Sequence, residues 1–331
     1  MQGGPGFVRS LRSHPVLCLL LLSPGIPEYL SSSSPLNALI LNPPMFLFQL
    51  VANLGLYGPG VLLIREAKVR WKKGWGSVLL LGAAYGILEE GVALSTLFDP
   101  SAGPVGSLGS YGHWLGVNWV WLVGILPVHM IYSISVPMLL LGLALPETNG
   151  RPFLTGRKLP AAIAILSVDV LALFLLIDLG EKFWMGAPVL IGSLGAIAVL
   201  VFSARRVRAD VLHAGSGTPK AGTKRMVAMG VAFYPSVLLT EFLIKGTGAP
   251  AAVDFCCTFA VQGAYLVYIL RVGGSVDKGR NLAAFAFGLV IPIAIFGAVA
   301  EASFPLVLLA DAAMVIFFVR LLRGSAPSGR A

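Results

Sequence analysis

Long apolar runs separated by short polar breaks recur from one end of the chain to the other. A helix needs about 20 apolar residues to cross a ~30 Å hydrocarbon core. Ten segments come near that length: 15–31, 45–64, 76–97, 117–145, 160–178, 187–203, 226–244, 249–270, 281–300 and 303–320. The runs are continuous, unlike the ~10-residue alternating segments of a membrane β-barrel. The pattern therefore predicts an all-α, polytopic transmembrane helical bundle of about ten spans. The first span is the weakest, because it is strongly apolar only from Pro15 to Leu22 and is then interrupted by Pro24, Gly25, Pro27 and Glu28. Arg9 and Arg12 ahead of a short apolar core also suit a cleaved signal peptide. No small-x-small cleavage site follows directly, which favours an uncleaved span.

Composition agrees with the pattern. Charged residues make up 12% of the chain and hydrophobic residues 56%, whereas a soluble domain carries roughly 25% charged residues. The net charge of +9 invites a nucleic-acid reading, but the basic residues cluster in short loops between apolar runs. That is a topology signal and not a binding stripe, so the expected partner is the lipid bilayer and not nucleic acid. With both termini cytoplasmic, 22 of the 24 lysines and arginines fall on the cytoplasmic side, leaving only Lys182 and Lys245 outside. The pattern predicts an N-terminal membrane part (1–204, about six spans), a basic cytoplasmic linker (205–225) and a C-terminal membrane part (226–331, about four spans). The linker core Gly-Ser-Gly-Thr-Pro-Lys is too polar and flexible to form a domain. Residues 98–116 make the longest outer loop, and Trp114, Trp119 and Trp121 suit an aromatic belt beside it. Cys18, Cys256 and Cys257 form no CxxC and all lie in apolar context, which reads as membrane packing and not as redox chemistry.

Against this background Glu89-Glu90 stands out, because a carboxylate near the bilayer centre costs roughly 2.5–3.5 kcal/mol even on insertion scales. Glu89 lies ~20 Å along its helix from the cytoplasmic face. Adjacent helical residues point about 100° apart, so one carboxylate is expected to face a central cavity while the other pairs with a neighbouring helix. His129 is the only histidine deep in a span, and Asn118, Ile125, His129 and Ser133 keep helical register along one face. Pro127 frees the carbonyl four residues before it, where polar groups are needed. Antiparallel neighbouring helices place Glu89 or Glu90 within reach of His129. A protonated carboxyl beside a carboxylate suits general acid–base work; the bland alternative is a polar clamp between helices.

Asp169 and Asp311, mid-span in the fifth and tenth segments, are either ion-path groups or helix–helix hydrogen bonds. Glu241, Asp254 and Glu301 lie near outer ends, where interface placement is expected. Arg65-Glu66 reads as a boundary pair, and the run from Gly55 to Gly60 as a kink or close helix contact. No HExxH, GxSxG, Walker or Rossmann pattern occurs, which argues against nucleotide-driven chemistry.

Paired glutamates in one span followed by a histidine in the next resemble the CAAX-protease and bacteriocin-processing family of intramembrane proteins. Its pattern is Glu-Glu-x-x-x-Arg, then Phe-x-x-x-His, then a second His with Asn four residues on. Glu89, Glu90 and His129 match. Leu94 occupies the arginine position, Ile125 the phenylalanine position, and the next histidine, His213, falls in the linker. The resemblance implies a protease-like site at Glu89, Glu90 and His129. The segment from Tyr85 to Pro146 also resembles a type seen in uncharacterised prokaryotic membrane proteins, which implies a prokaryotic cell membrane and no particular activity.

Two functional classes follow. In a hydrolase, one glutamate activates water, the other orients or protonates, and His129 supplies an oxyanion contact or a metal ligand. One histidine and two carboxylates can hold a single divalent ion, although helical spacing alone does not make them converge. In an ion-coupled carrier, ten spans divide as five plus five inverted halves. Spans one and six, the latter with Gly186, Gly192 and Gly195, would then be the interrupted pair, and Asp169 and Asp311 the coupling sites. A structural subunit without catalysis is the third reading.

Overall fold

The computed structural model describes residues 13–181, 183–209, 222–272, 278–302 and 306–324. The chain is an all-α bundle whose elements follow the apolar runs. α1 spans Pro15–Tyr29, α2 Ala38–Leu41, α3 Pro43–Arg70, α4 Trp75–Ala93 and α5 Trp119–Ala144. α6 spans Lys158–Glu181, α7 Ala187–Arg206, α8 Thr223–Gly246, α9 Ala251–Val272, α10 Lys278–Ala300 and α11 Val307–Gly324. A two-residue antiparallel pair, β1 (His113–Trp114) and β2 (Val117–Asn118), pins the loop before α5.

Among the described residues, α3 to α10 are long and apolar enough to cross a membrane, giving eight candidate spans. The two remaining expected spans are weaker. α1 is too short and breaks where Pro24, Gly25 and Pro27 interrupt it. α11 carries Asp311, Arg320 and Arg323 within 18 residues. The chain is nonetheless an integral multipass membrane protein. Its outer apolar side chains, such as Val168 and Leu171 on α6, Ile191 and Val199 on α7 and Phe296 and Val299 on α10, are exposed as a lipid-facing surface requires.

Local chemistry sets the helix boundaries. Asn42 caps α3 by accepting from Met45 N at 3.3 Å, with prolines at the first two helical positions. Asn118 caps α5 by accepting from Trp121 N at 2.9 Å. Pro127 removes the donor that would satisfy the Val123 carbonyl, and Gln262 Nε2 of α9 supplies the missing bond at 2.8 Å. The proline kink is thus paired with a partner helix.

Glu66 fastens one end of the bundle. It accepts from the backbone N–H groups of Phe153 at 2.5 Å and Leu154 at 3.1 Å, and Arg70 Nε pairs with it at 3.0 Å. The adjacent Arg65 Nη1 lies 3.6 Å from Glu66, and Arg65 also binds the Thr148 carbonyl and covers the Phe153 ring. Lys73 reaches the Val207 carbonyl at 2.9 Å. The ends of α3 and α7 and the α5–α6 loop, all rich in basic residues, therefore share one end. At the opposite end Lys245 Nζ donates to the Ser107 carbonyl at 2.5 Å. There Glu301 accepts from the backbone N–H groups of Leu36 and Asn37 at 2.9 and 3.0 Å.

Glu301, Asp254 and Glu241, expected near outer helix ends, are buried within the protein at 1, 0 and 8% exposure. The Glu301 carboxylate satisfies backbone donors of the loop before α2, and Glu241 lies against Gly124 of α5. The basic linker at 205–225 falls mostly on residues 210–221, outside the described residues.

The charge distribution fixes an expected orientation. In a cysteine-free background, single cysteines at Ser216 and Ser325 should react with impermeant thiol reagents only from the cytoplasm, and those at Gly106 and Gly248 only from outside. Labelling of Ser216 and Gly106 from the same side would overturn the ten-span threading.

Candidate functional site: a buried carboxylate–imidazole centre

Among the described residues three helices open into π-helical turns, at Gly25–Tyr29 in α1, Ile87–Ala93 in α4 and His129–Ser135 in α5. Their i→i−5 bonds include Leu30 N to Gly25 O at 3.0 Å and Leu94 N to Glu89 O at 2.9 Å. Such turns are rare and concentrate at functional sites. Here they carry Glu28, Glu89-Glu90 and His129. The extra residue per turn narrows the angle between consecutive side chains, so Glu89 and Glu90 reach the same ring. Glu89 Oε2 lies 3.1 Å from His129 Nδ1 and Glu90 Oε1 lies 2.9 Å from Nε2. The expected division, one carboxylate in a cavity and the other on a neighbouring helix, assumed ideal α geometry and is corrected on that point.

Small residues make the approach possible. A side chain at Gly86 would meet Leu126 Cδ2 at 2.8 Å and His129 Cβ at 3.2 Å, and one at Gly82 would meet Met130 Cα at 2.9 Å. This small-xxx-small stripe lets α4 and α5 touch along their backbones. Glu89, Glu90 and His129 are 2, 6 and 3% exposed. Two apolar clusters enclose them, one containing Tyr57, Tyr85 and Val92 and the other Ile26 and Tyr132.

The two sides of the imidazole differ. On the Nε2 side Glu90 is held by Thr96, which bonds both its side chain and its carbonyl, and Trp121 Nε1 donates to Thr96 Oγ1 at 3.3 Å. That arm is satisfied. On the Nδ1 side Glu89 Oε2 is close to the ring but completes no hydrogen bond. Ser133 Oγ is 3.4 Å from Nδ1. The Tyr57 and Tyr85 hydroxyls approach Glu89, yet that of Tyr85 is buried without a hydrogen-bond partner. The Tyr57 ring stacks on His129 with centroids 6.4 Å apart, and the Tyr85 ring meets it edge-on at 6.1 Å. The side with unsatisfied polar groups is therefore the Glu89 side.

Glu28 joins this side. It accepts from Tyr57 Oη at 2.7 Å and Ser34 Oγ at 3.1 Å, and it has Glu89 and His129 as charged neighbours. Asn53 Nδ2 extends the chain to Ser34 at 2.9 Å. Asp169, from α6, is also a charged neighbour of Glu89 and lies against Gly55. Glu28 was missed as a site residue. Its signal was the Gly25–Pro27 interruption, which weakened the first span while marking a turn that a buried glutamate occupies.

The other sequence candidates separate. Ser133 belongs to the centre. Asn118 caps α5 and donates to the Leu108 carbonyl at 2.7 Å, and Ile125 packs with the cluster of Leu97 and Phe98. The expected stripe fails at Asn118 because that residue is the extended N-cap and the helix starts at Trp119. Asp311, on α11, has Glu301 as its charged neighbour. Of the tryptophans expected in an outer belt, Trp121 donates to Thr96 and Trp114 is exposed.

Fold and site together define a multipass helical membrane protein with a buried Glu/Glu/His centre. The profile of an uncharacterized membrane protein family matches residues 17–327, and the chain belongs to that family. No curated protein and no solved structure matches it. The resemblance to the CAAX-protease family gains no support from these comparisons.

Proposed function

We propose that this protein is an intramembrane hydrolase of protease-like chemistry, acting on an amide or ester bond that reaches the interior of the bilayer. The observation that carries this reading is the asymmetry about His129: both carboxylate oxygens of Glu90 are hydrogen-bonded, while Glu89 Oε2 is buried without a hydrogen bond. Glu90 orients the ring, as a carboxylate does in a catalytic triad. Glu89 takes a proton from water, and the oxygen attacks the carbonyl carbon. The imidazole N–H meets the developing oxyanion, and the proton held by Glu89 passes to the leaving nitrogen or oxygen as that bond breaks. Burial strengthens each of these interactions relative to water.

A second reading, an ion-coupled carrier, draws on Asp169 and Glu28 flanking Glu89. One comparison separates the two. Membrane proteomes and lipid extracts of a deletion strain should show a precursor that accumulates and a cleavage product that disappears. The wild-type gene and Asp169→Asn should restore the product, and Glu89→Gln should not. Restoration by the double Glu89→Gln, Glu90→Gln protein would remove the hydrolase reading. Uncoupled transport in Asp169→Asn, with the glutamate pair dispensable, would establish the carrier.

A further inference from the structure

We infer that one divalent transition-metal ion occupies the centre, held by Glu89, Glu90 and one imidazole nitrogen of His129, with water completing its shell. The inference rests on the hydrolase reading above and names the agent that activates its water.

Three observations support it. The first is convergence: each of the three residues offers a donor atom, and these atoms all lie within 4.8 Å of one another. Glu89 Oε2 and Glu90 Oε1 meet different ring nitrogens, so an ion bound to one nitrogen with bonds of about 2.0–2.2 Å requires one carboxylate to swing toward the other. The second is charge. Glu28 and Asp169 add two more carboxyl groups beside Glu89, while the ion pairs described for Glu89 and Glu90 are both made with His129. A cluster this rich in carboxylates, sealed by apolar side chains, needs protons or a cation. The third is the pair of buried groups left without hydrogen bonds, Glu89 Oε2 and the Tyr85 hydroxyl, an arrangement that costs stability unless a partner is supplied. An ion and its water on the Glu89 side satisfy both.

The donor set names the class. An imidazole with carboxylates suits zinc, iron or manganese, whereas magnesium and calcium favour all-oxygen shells. A glutamate binding through one oxygen keeps the other free to accept the proton of the bound water, whose acidity the ion raises.

The test uses the full chain, purified in detergent through a tag without histidines. Elemental analysis should find one zinc, iron or manganese ion per chain. Cobalt added after chelation should give visible d–d absorption, and adding zinc back should raise the unfolding temperature that chelation lowered. Glu90→Gln and His129→Ala should lose metal by at least about tenfold, while Asp311→Asn should retain it. Folded wild-type protein with no ion, no cobalt spectrum and no stabilisation by zinc, iron or manganese overturns the inference. Hydrolysis that persists without metal and still fails in Glu89→Gln would overturn the metal alone. Metal binding by a protein whose double glutamine variant still complements would sustain the site and remove the hydrolase reading.

Discussion

Replacing Glu89 by Gln should lower turnover by about 10²–10⁴-fold, the range expected for loss of a general base, and leave the fold intact. Glutamine keeps the shape and can still donate to nearby hydroxyls, but it does not take a proton from water at neutral pH. Glu89 Oε2 lies 3.1 Å from Nδ1 without completing a hydrogen bond, so the substitution should cost less stability than the loss of Glu90. Glu90→Gln should behave differently. Glu90 accepts from Thr96 and is hydrogen-bonded to Nε2 at 2.9 Å, so its loss disturbs ring orientation and packing together. Its unfolding temperature should fall, and its activity should be partly recoverable in Glu90→Asp. Thr96→Val should reproduce a weaker form of the Glu90 defect, since Thr96 acts through Glu90. Rates and unfolding temperatures in one detergent are the measurements. Equal stability losses at both glutamates, with equal activity, would reduce the pair to the polar clamp that the sequence also allowed.

This asymmetry was not legible in the sequence, and the reason is physical. Hydropathy reports the cost of placing a residue in lipid, so the runs that became α3 to α10 could be read directly. The same logic singled out Glu89, Glu90 and His129, because buried charge is expensive wherever the helix turns. What decides how those groups meet is the π-turn, a local departure stabilised by neighbouring helices, and no periodicity argument anticipates it. Glu28 shows the converse. Gly25 and Pro27 lowered the apparent quality of the first span, while the structure uses that irregularity to bring a glutamate beside Tyr57. Asn118 looked like part of a helical stripe only because the span was started at residue 117, two residues before the helix begins; its cap geometry assigns it to the loop. The Gly82 and Gly86 pair was present in the sequence as a small-xxx-small spacing, and it marks the α4–α5 contact that brings His129 to the glutamates.

The largest effect on stability is expected at Gly288, in the contact between α8 and α10. A Cβ there would run into the Val227 carbonyl oxygen and lie 3.0 Å from Gly230 Cα, and a Cβ at Gly230 would lie 2.7 Å from Leu289 N. These obstacles are backbone atoms, so no rotamer change relieves them and the helices must separate. Between them they carry Phe233, Val237, Ala283, Ala286 and Leu289, all buried in one apolar cluster. In a membrane, close backbone contact is itself the main attraction, because lipid tails are as apolar as the side chains. Gly288→Val should therefore cost about 3 kcal/mol or more, seen as a sharply lower unfolding temperature and loss of the monodisperse peak in detergent. Gly263, on α9, has nothing within 4 Å of its virtual Cβ, and Gly263→Ala should change stability by less than about 1 kcal/mol, favourably if at all. Similar tolerance at both positions would mean that α8 and α10 do not pack as closely as described. The cluster that closes the centre from the Ile26 and Tyr132 side would then lose its backing, and a variant that separates these helices should also lose any ion the centre holds.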